Sequence, residues 1–185
     1  MTQFEYISVA VALLFAIAVG RLLTSLPSVF DRERRYGVHA AWVVYLLLYC
    51  ALQWWQFWLL RDHVFDTVDF ILALALPGFV IVRVELLLGR ESDLVADYRE
   101  RFYRVRIPFF SVGLASMTML MVAPWVYGQI PWGEVQLSHV VGLVPMSVWI
   151  VGLLSDRHLV HVSLISLQLL FNVWLLVADV LRQLS

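Results

Sequence analysis

Lysine is absent from this chain and cysteine is almost absent. All 13 basic residues among its 185 positions are arginine, and Cys50 is its only cysteine. A single thiol excludes an intrachain disulfide and any zinc site built on several thiolates. The formal net charge is only −1 and no basic stripe extends into water, so nucleic-acid binding has no support.

Catalytic motifs are also missing. The sequence contains no HExxH, glycine-rich phosphate loop, GxSxG or paired-cysteine motif. We therefore expect no enzyme, no metal site and no bound cofactor. A haem-binding or redox protein remains a further alternative, because His39, His158 and His161 fall near one predicted interface and two axial imidazoles suffice.

Apolar residues, by contrast, make up 62% of the chain, more than a soluble core of this length can hide. A bilayer crossing needs roughly 20 apolar residues as a helix. Six stretches qualify: Tyr6 to Leu26, His39 to Leu60, Val68 to Leu88, Pro108 to Tyr127, Leu137 to Leu154 and Leu159 to Leu181. The sequence predicts an all-α polytopic membrane protein, a single domain built as a bundle of six transmembrane helices.

The arginines are distributed unevenly between the predicted loops. Nine lie in the loops after the first, third and fifth stretches, against two on the opposite side. The positive-inside rule places the arginine-rich loops in the cytoplasm and both termini outside. The composition is similar to that of small multi-pass proteins of the bacterial inner membrane, and we expect that location.

The longest connector predicts one more helix. Residues 92–106 place Leu94, Tyr98 and Phe102 at fourfold spacing, with the charged residues between them. This pattern indicates a short amphipathic helix at the cytoplasmic interface. A solvated extension that only sets the angle of the fourth transmembrane helix is the alternative.

One face of the last stretch is polar. His161, Gln168, Asn172 and Asp179 return to within about 20° of one direction on a helical wheel. Because hydrocarbon offers these groups no partner, the face must point at other helices or at water. It forms either interhelical hydrogen bonds or the lining of a hydrated path.

The second stretch carries a matching face, formed by Tyr45, Tyr49, Gln53 and Gln56. If the two helices pack together, their polar faces satisfy one another. A path would then need an oligomer axis or a further gap.

Charged residues also fall within or beside the membrane stretches. Arg21, Arg83 and Glu85 form a candidate intramembrane charge pair, with snorkelling of the arginines as the alternative. The acidic residues Asp62, Asp66 and Asp69 form a predicted outer cluster that either attracts cations or caps a helix start.

These patterns favour an oligomeric channel or transporter-like protein that passes an ion or small polar solute along helices six and two. Small residues from Ser111 to Ala115 allow close approach of another helix, so we expect a homo-oligomer or a second membrane protein as partner, besides the lipid bilayer. The alternative is a non-conducting partner, assembly or effector subunit.

Overall fold

The structure is a computed structural model that describes residues 2–89 and 97–184. These residues form six α-helices: α1 Gln3–Val29, α2 Gly37–Phe57, α3 Thr67–Leu88, α4 Tyr98–Val126, α5 Leu137–Leu154 and α6 His158–Leu184. A short 3-10 helix, Trp58–Leu60, extends α2. Every regular element in the described ranges is helical, which confirms the predicted all-α class.

The helices have the dimensions of membrane-spanning segments. Five of them, all except α5, are long and apolar enough to cross a bilayer. The remaining one, α5, has 18 residues and is about 27 Å long, close to the thickness of the hydrocarbon core. The protein is an integral membrane protein with a helical bundle fold.

The helices pack as a closed ring in the order α1, α2, α6, α5, α4, α3. Helix α2 is the most central, because it also contacts α3 and α4. We call the end with the α1–α2, α3–α4 and α5–α6 connections the arginine-rich end. The opposite end, which holds the α2–α3 and α4–α5 connections, is the cavity end.

The predicted interfacial helix is the beginning of α4. From Tyr98 the helix continues without interruption through Pro108 to Val126, whereas residues 92–96 lie outside the described part of the chain. Tyr98 and Phe102 are buried against the bundle, with the Tyr98 ring stacked on His39. The extension of the fourth helix is therefore the interpretation that fits, and its apolar face packs on protein.

Several arginines at the arginine-rich end cap helix C-termini. Arg21 donates a 2.7 Å hydrogen bond to the Gly89 carbonyl, and Arg101 donates one of 2.8 Å to the Leu86 carbonyl. Arg106 donates to the carbonyl of Ser155, just beyond α5. Cations suit these positions because the last carbonyls of a helix lack partners and carry partial negative charge. The arginines that the sequence concentrates at this end of the bundle thus also stabilise helix C-termini.

Glycines let α4 and α5 approach closely. A Cβ atom on Gly113 of α4 would lie 2.2 Å from the Trp149 ring of α5, and one on Gly152 of α5 would lie 2.1 Å from the Phe110 ring of α4. Each helix therefore presents an aromatic ring to a glycine of the other. Rigid rings leave little freedom to accommodate a methyl group at these contacts.

We expect Gly113→Ala and Gly152→Ala each to lower the free energy of unfolding by about 1–3 kcal/mol, because the added methyl overpacks the α4–α5 contact. Reversible unfolding in mixed detergent micelles measures the change. Gly20→Ala is the matched control, since a Cβ there meets nothing within 4 Å. Equal effects at Gly20 and Gly113 would contradict the proposed packing of aromatic rings on the α4 and α5 glycines.

Candidate functional site

The polar faces of α6 and α2 meet inside the bundle. His161, Gln168 and Asn172 are all buried, at 0%, 3% and 7% exposure, as the sequence predicts for a face that avoids lipid. The side chain of Asp179 lies outside the described part of the chain. On α2, Tyr45 and Tyr49 are buried as well.

The hydrogen bonds of this face stay within the bundle. Gln168 Nε2 donates to the Tyr45 hydroxyl at 3.5 Å, and Asn172 Nδ2 donates to the Gln168 carbonyl at 2.7 Å. The His161 ring contacts the Ser155 carbonyl through Nε2, at 2.9 Å. In the half of the bundle nearer the arginine-rich end, the two polar faces therefore meet at Tyr45 and Gln168.

Arg21 and Glu85 form the predicted intramembrane ion pair, with Nε of Arg21 2.9 Å from Oε1 of Glu85. Arg83 takes no part in it, so its assignment to that charge pair was wrong. Side chains two residues apart on an α-helix point in nearly opposite directions, about 200° apart. Because Glu85 faces α1, Arg83 faces the bundle interior. Arg83 is 1% exposed and does not snorkel.

The guanidinium of Arg83 lies between aromatic rings. Its Cζ is 4.7 Å from the ring centroid of Tyr49 and 5.4 Å from that of Trp149. The Tyr45 hydroxyl also interacts with it. Among the described residues, no carboxylate forms an ion pair with Arg83. A permanent cation is thus held in the membrane interior by π faces and hydroxyls alone.

A cavity of about 710 Å³ opens the other half of the bundle. Gln53 and Gln56, the outer members of the predicted α2 face, line it together with Tyr127 and Gln129. Apolar and aromatic side chains from α1, α2, α3, α4 and α6 form the rest of its wall, including Phe15, Leu52, Trp55, Pro77, Leu120, Trp174 and Leu175. The cavity is the type of concave, mostly apolar site that binds small molecules.

The Arg83 site lies next to the floor of this cavity. Tyr49, Ser116 and Asn172 sit three or four residues below cavity-lining positions on their helices, which is about one helical turn. The Tyr49 hydroxyl contacts that of Ser116 at 3.4 Å, and its ring covers Arg83. Tyr49, which covers Arg83, is therefore within about one helical turn of the cavity-lining residues of α2.

Aromatic rings close the bundle on the arginine-rich side of Arg83. Trp42 is fully buried, with ring centroids of Phe109, Phe110 and Trp149 at 5.3, 5.3 and 5.2 Å. Phe110 and Phe102 also contact the ring of His161. This aromatic packing lies between Arg83 and the arginine-rich end of the bundle.

The predicted acidic cluster forms the start of α3. Asp66 and Asp69 make reciprocal capping hydrogen bonds of 2.9 and 3.1 Å with each other's backbone amides. Asp69 is also 2.8 Å from Nε2 of His63, whereas Asp62 is exposed beside Arg61. These reciprocal hydrogen bonds form a capping box at the start of α3, so helix capping is the interpretation that fits.

Tyr127 joins this start of α3 to the cavity wall. Its ring lies 5.4 Å from that of His63, and it lines the cavity. Burial, with a smaller contribution from Asp69, raises the pKa of Tyr127 to about 12. The hydroxyl is therefore neutral at physiological pH and available to a solute as donor or acceptor.

The histidines considered for haem are engaged elsewhere. Nε2 of His39 lies 3.1 Å from the Leu87 carbonyl, and Nδ1 of His158 lies 2.7 Å from the Tyr36 hydroxyl. Aromatic rings surround His161. These contacts favour structural roles for the three imidazoles. Burial, together with the hydrogen bond to Tyr103, raises the pKa of Tyr36, the partner of His158.

Sequence patterns did not identify two members of the Arg83 site, Ser116 and Trp149. Neither belongs to a polar stripe, and each joins the site only through the rotation of its helix.

Comparison of the chain with protein-family models, curated proteins and solved structures gives no match.

We expect the Tyr49 ring to stabilise buried Arg83 by about 2 kcal/mol, the range for a desolvated cation–π contact. Tyr49→Leu should then lower the free energy of unfolding more in the wild type than in an Arg83→Met background. Tyr49→Phe, which keeps the ring and loses only the long contact to Ser116, should have little effect. A double-mutant cycle in detergent measures the coupling, and zero coupling would exclude this role of the ring.

Proposed function

We propose that the protein is a transporter-like membrane protein that takes up an ion or small polar solute in the cavity and passes it along the Arg83 site. The observation that supports this most directly is a cavity walled by five helices whose floor adjoins a buried, unpaired cation. Ionisable residues inside a membrane domain commonly mark substrate or ion pathways. The midplane between helices is also where transporters commonly bind their substrates.

The closed aromatic half favours a carrier over an open pore. A solute in the cavity meets the packed rings of Trp42, Phe109 and Phe110 before it could reach the arginine-rich end. Passage therefore requires these helices to shift, as in alternating access. The positive-inside rule supports a cytoplasmic location for the arginine-rich end, so that the cavity opens outward.

A non-conducting partner subunit is the second candidate. A groove of about 580 Å³ on the α3–α4 surface is lined by Ser111, Ala115 and Thr118, among mostly apolar neighbours. Small residues of this kind allow a helix of another copy, or of another protein, to pack closely. Co-purification of a defined second polypeptide in mild detergent, without solute flux, would favour this candidate.

The cavity predicts a specific pattern of thiol accessibility. In a Cys50→Ser background, Gln53→Cys should react with a membrane-impermeant thiol reagent added outside intact cells, because Gln53 lines the outward cavity. Leu13→Cys, on the exposed apolar face of α1, is the control and should not react from lipid. Mass spectrometry measures the labelling. Reaction only from the inside would reverse the proposed orientation, and no reaction from either side would exclude a solvent-filled cavity.

Solute flux should depend on the buried polar face of α6. We expect Asn172→Leu to reduce swelling of proteoliposomes in a panel of small polar solutes at least about tenfold, because it removes a polar group from the layer under the cavity. Ser166→Leu is the matched control, since Ser166 is exposed on the same helix. Equal flux in both variants, or none in the wild type, counts against transport.

A further inference from the structure

The free hydrogen-bond donors of Arg83 indicate the class of solute. Nε and Nη2 are buried and have no hydrogen-bond partner among the described residues. These two nitrogens share one edge of the planar guanidinium, the edge that donates two parallel hydrogen bonds to a carboxylate or phosphate. The part of Arg83 that recognises oxyanions is thus the part left unpaired.

The side chain of Arg83 extends towards the cavity end of the bundle. Arg83 is five residues from the end of α3 at Leu88, so a side chain this long could reach the arginine-rich interface. It extends instead to the Tyr49 ring and the Tyr45 hydroxyl. Both residues lie further along α2 than His39, which contacts Leu87. Side chains on a helix tilt towards its N-terminus, and the N-terminus of α3 lies at the cavity end.

The cavity wall indicates the rest of the ligand. Apart from Gln53, Gln56, Tyr127 and Gln129, the wall consists of aliphatic and aromatic side chains with proline. A strongly hydrated inorganic anion would lose its hydration on entering this cavity, and the wall offers few hydrogen bonds to replace it. An apolar body attached to one anionic head would match both the wall and the cation beneath it.

We propose that the cavity binds a monocarboxylate with an apolar body, whose two oxygens accept hydrogen bonds from Nε and Nη2 of Arg83. This inference rests on the proposed function, because the ligand reaches Arg83 from the cavity. Since Arg83 is 1% exposed, the Tyr49 and Ser116 side chains above it move aside as the carboxylate enters. This movement breaks the long 3.4 Å contact between the two hydroxyls and loosens the contact of the Tyr49 ring with Arg83, and the hydrogen bonds from Nε and Nη2 to the carboxylate offset that loss.

A ligand series on the wild-type protein tests the head group. Sodium hexanoate should raise the unfolding temperature of the protein in nanodiscs in a saturable way, because a ligand bound only to the folded state stabilises it. Hexan-1-ol and hexylammonium have the same apolar body without the carboxylate, and should bind at least about tenfold more weakly. Equal stabilisation by hexanoate and hexan-1-ol would overturn the proposal.

Variants of the cation test the position of the site. Arg83→Met should weaken hexanoate binding at least about tenfold, and Arg83→Lys, which keeps the charge but loses the fork, should weaken it by a smaller factor. Arg61→Met is the matched control, because Arg61 is an exposed arginine at the cavity end and its loss changes the net charge equally. A hexanoate affinity that falls only in Arg61→Met refutes a site at Arg83.

The carboxylate can come from water or from the bilayer, and chain length separates the two sources. Stronger stabilisation by butanoate or hexanoate from solution supports an aqueous acid, and stronger stabilisation by palmitate placed in the nanodisc supports a fatty acid. Absence of stabilisation by all three overturns the proposal. If Gln53→Cys reacts from outside but hexanoate does not bind, the cavity stands and only the ligand class fails.

Discussion

Hydrocarbon offers no hydrogen-bond partner to a polar side chain, and the arrangement of this bundle follows from that constraint. Amides and imidazoles on α6 cannot face lipid, so His161, Gln168 and Asn172 turn inward, where Tyr45 of α2 meets Gln168. Helix α2 lies beside α6 and near the centre of the ring. The polar groups therefore specify which helix faces are buried. The hydrophobic effect does not do so in a bilayer, because lipid chains are as apolar as leucine.

Arg83 satisfies this constraint only in part. Rings of Tyr49 and Trp149 attract the guanidinium, but an aromatic face replaces neither a carboxylate nor the lost hydration of a full charge. The contrast with Arg21 is instructive, because Arg21 pairs with Glu85 and caps α3 near the interface. Both arginines lie on membrane-spanning helices, but Arg21 has an ion-pair partner whereas Arg83 keeps two buried donors, Nε and Nη2, without a hydrogen-bond partner among the described residues. An anion-binding site needs such unpaired donors, whereas a purely structural cation does not.

Much of the fold followed from the sequence, because span length and periodicity act along one helix at a time. The inward face of α6 was predicted on that basis, and the Arg21–Glu85 pair was one of two alternatives for these charges. The α2 face matches only in part, because Tyr45 and Tyr49 are buried whereas Gln53 and Gln56 line the cavity. The role of Arg83 was not, since its position near the end of α3 is equally compatible with snorkelling. Its aromatic partners lie on α2 and α5, and their approach depends on how each helix is rotated in the bundle. A wheel drawn for a single helix contains no information about that rotation.

Packing and site are linked through Trp149. Its ring fills the space beside Gly113 on α4, and the same ring forms one wall of the Arg83 pocket, 5.4 Å from the guanidinium. The distance between α4 and α5 therefore sets how closely the cation is enclosed. Trp149 also contacts Trp42, part of the aromatic group that closes the arginine-rich half. A shift of α5 against α4 would therefore move both the wall of the pocket and the aromatic group that closes the arginine-rich half.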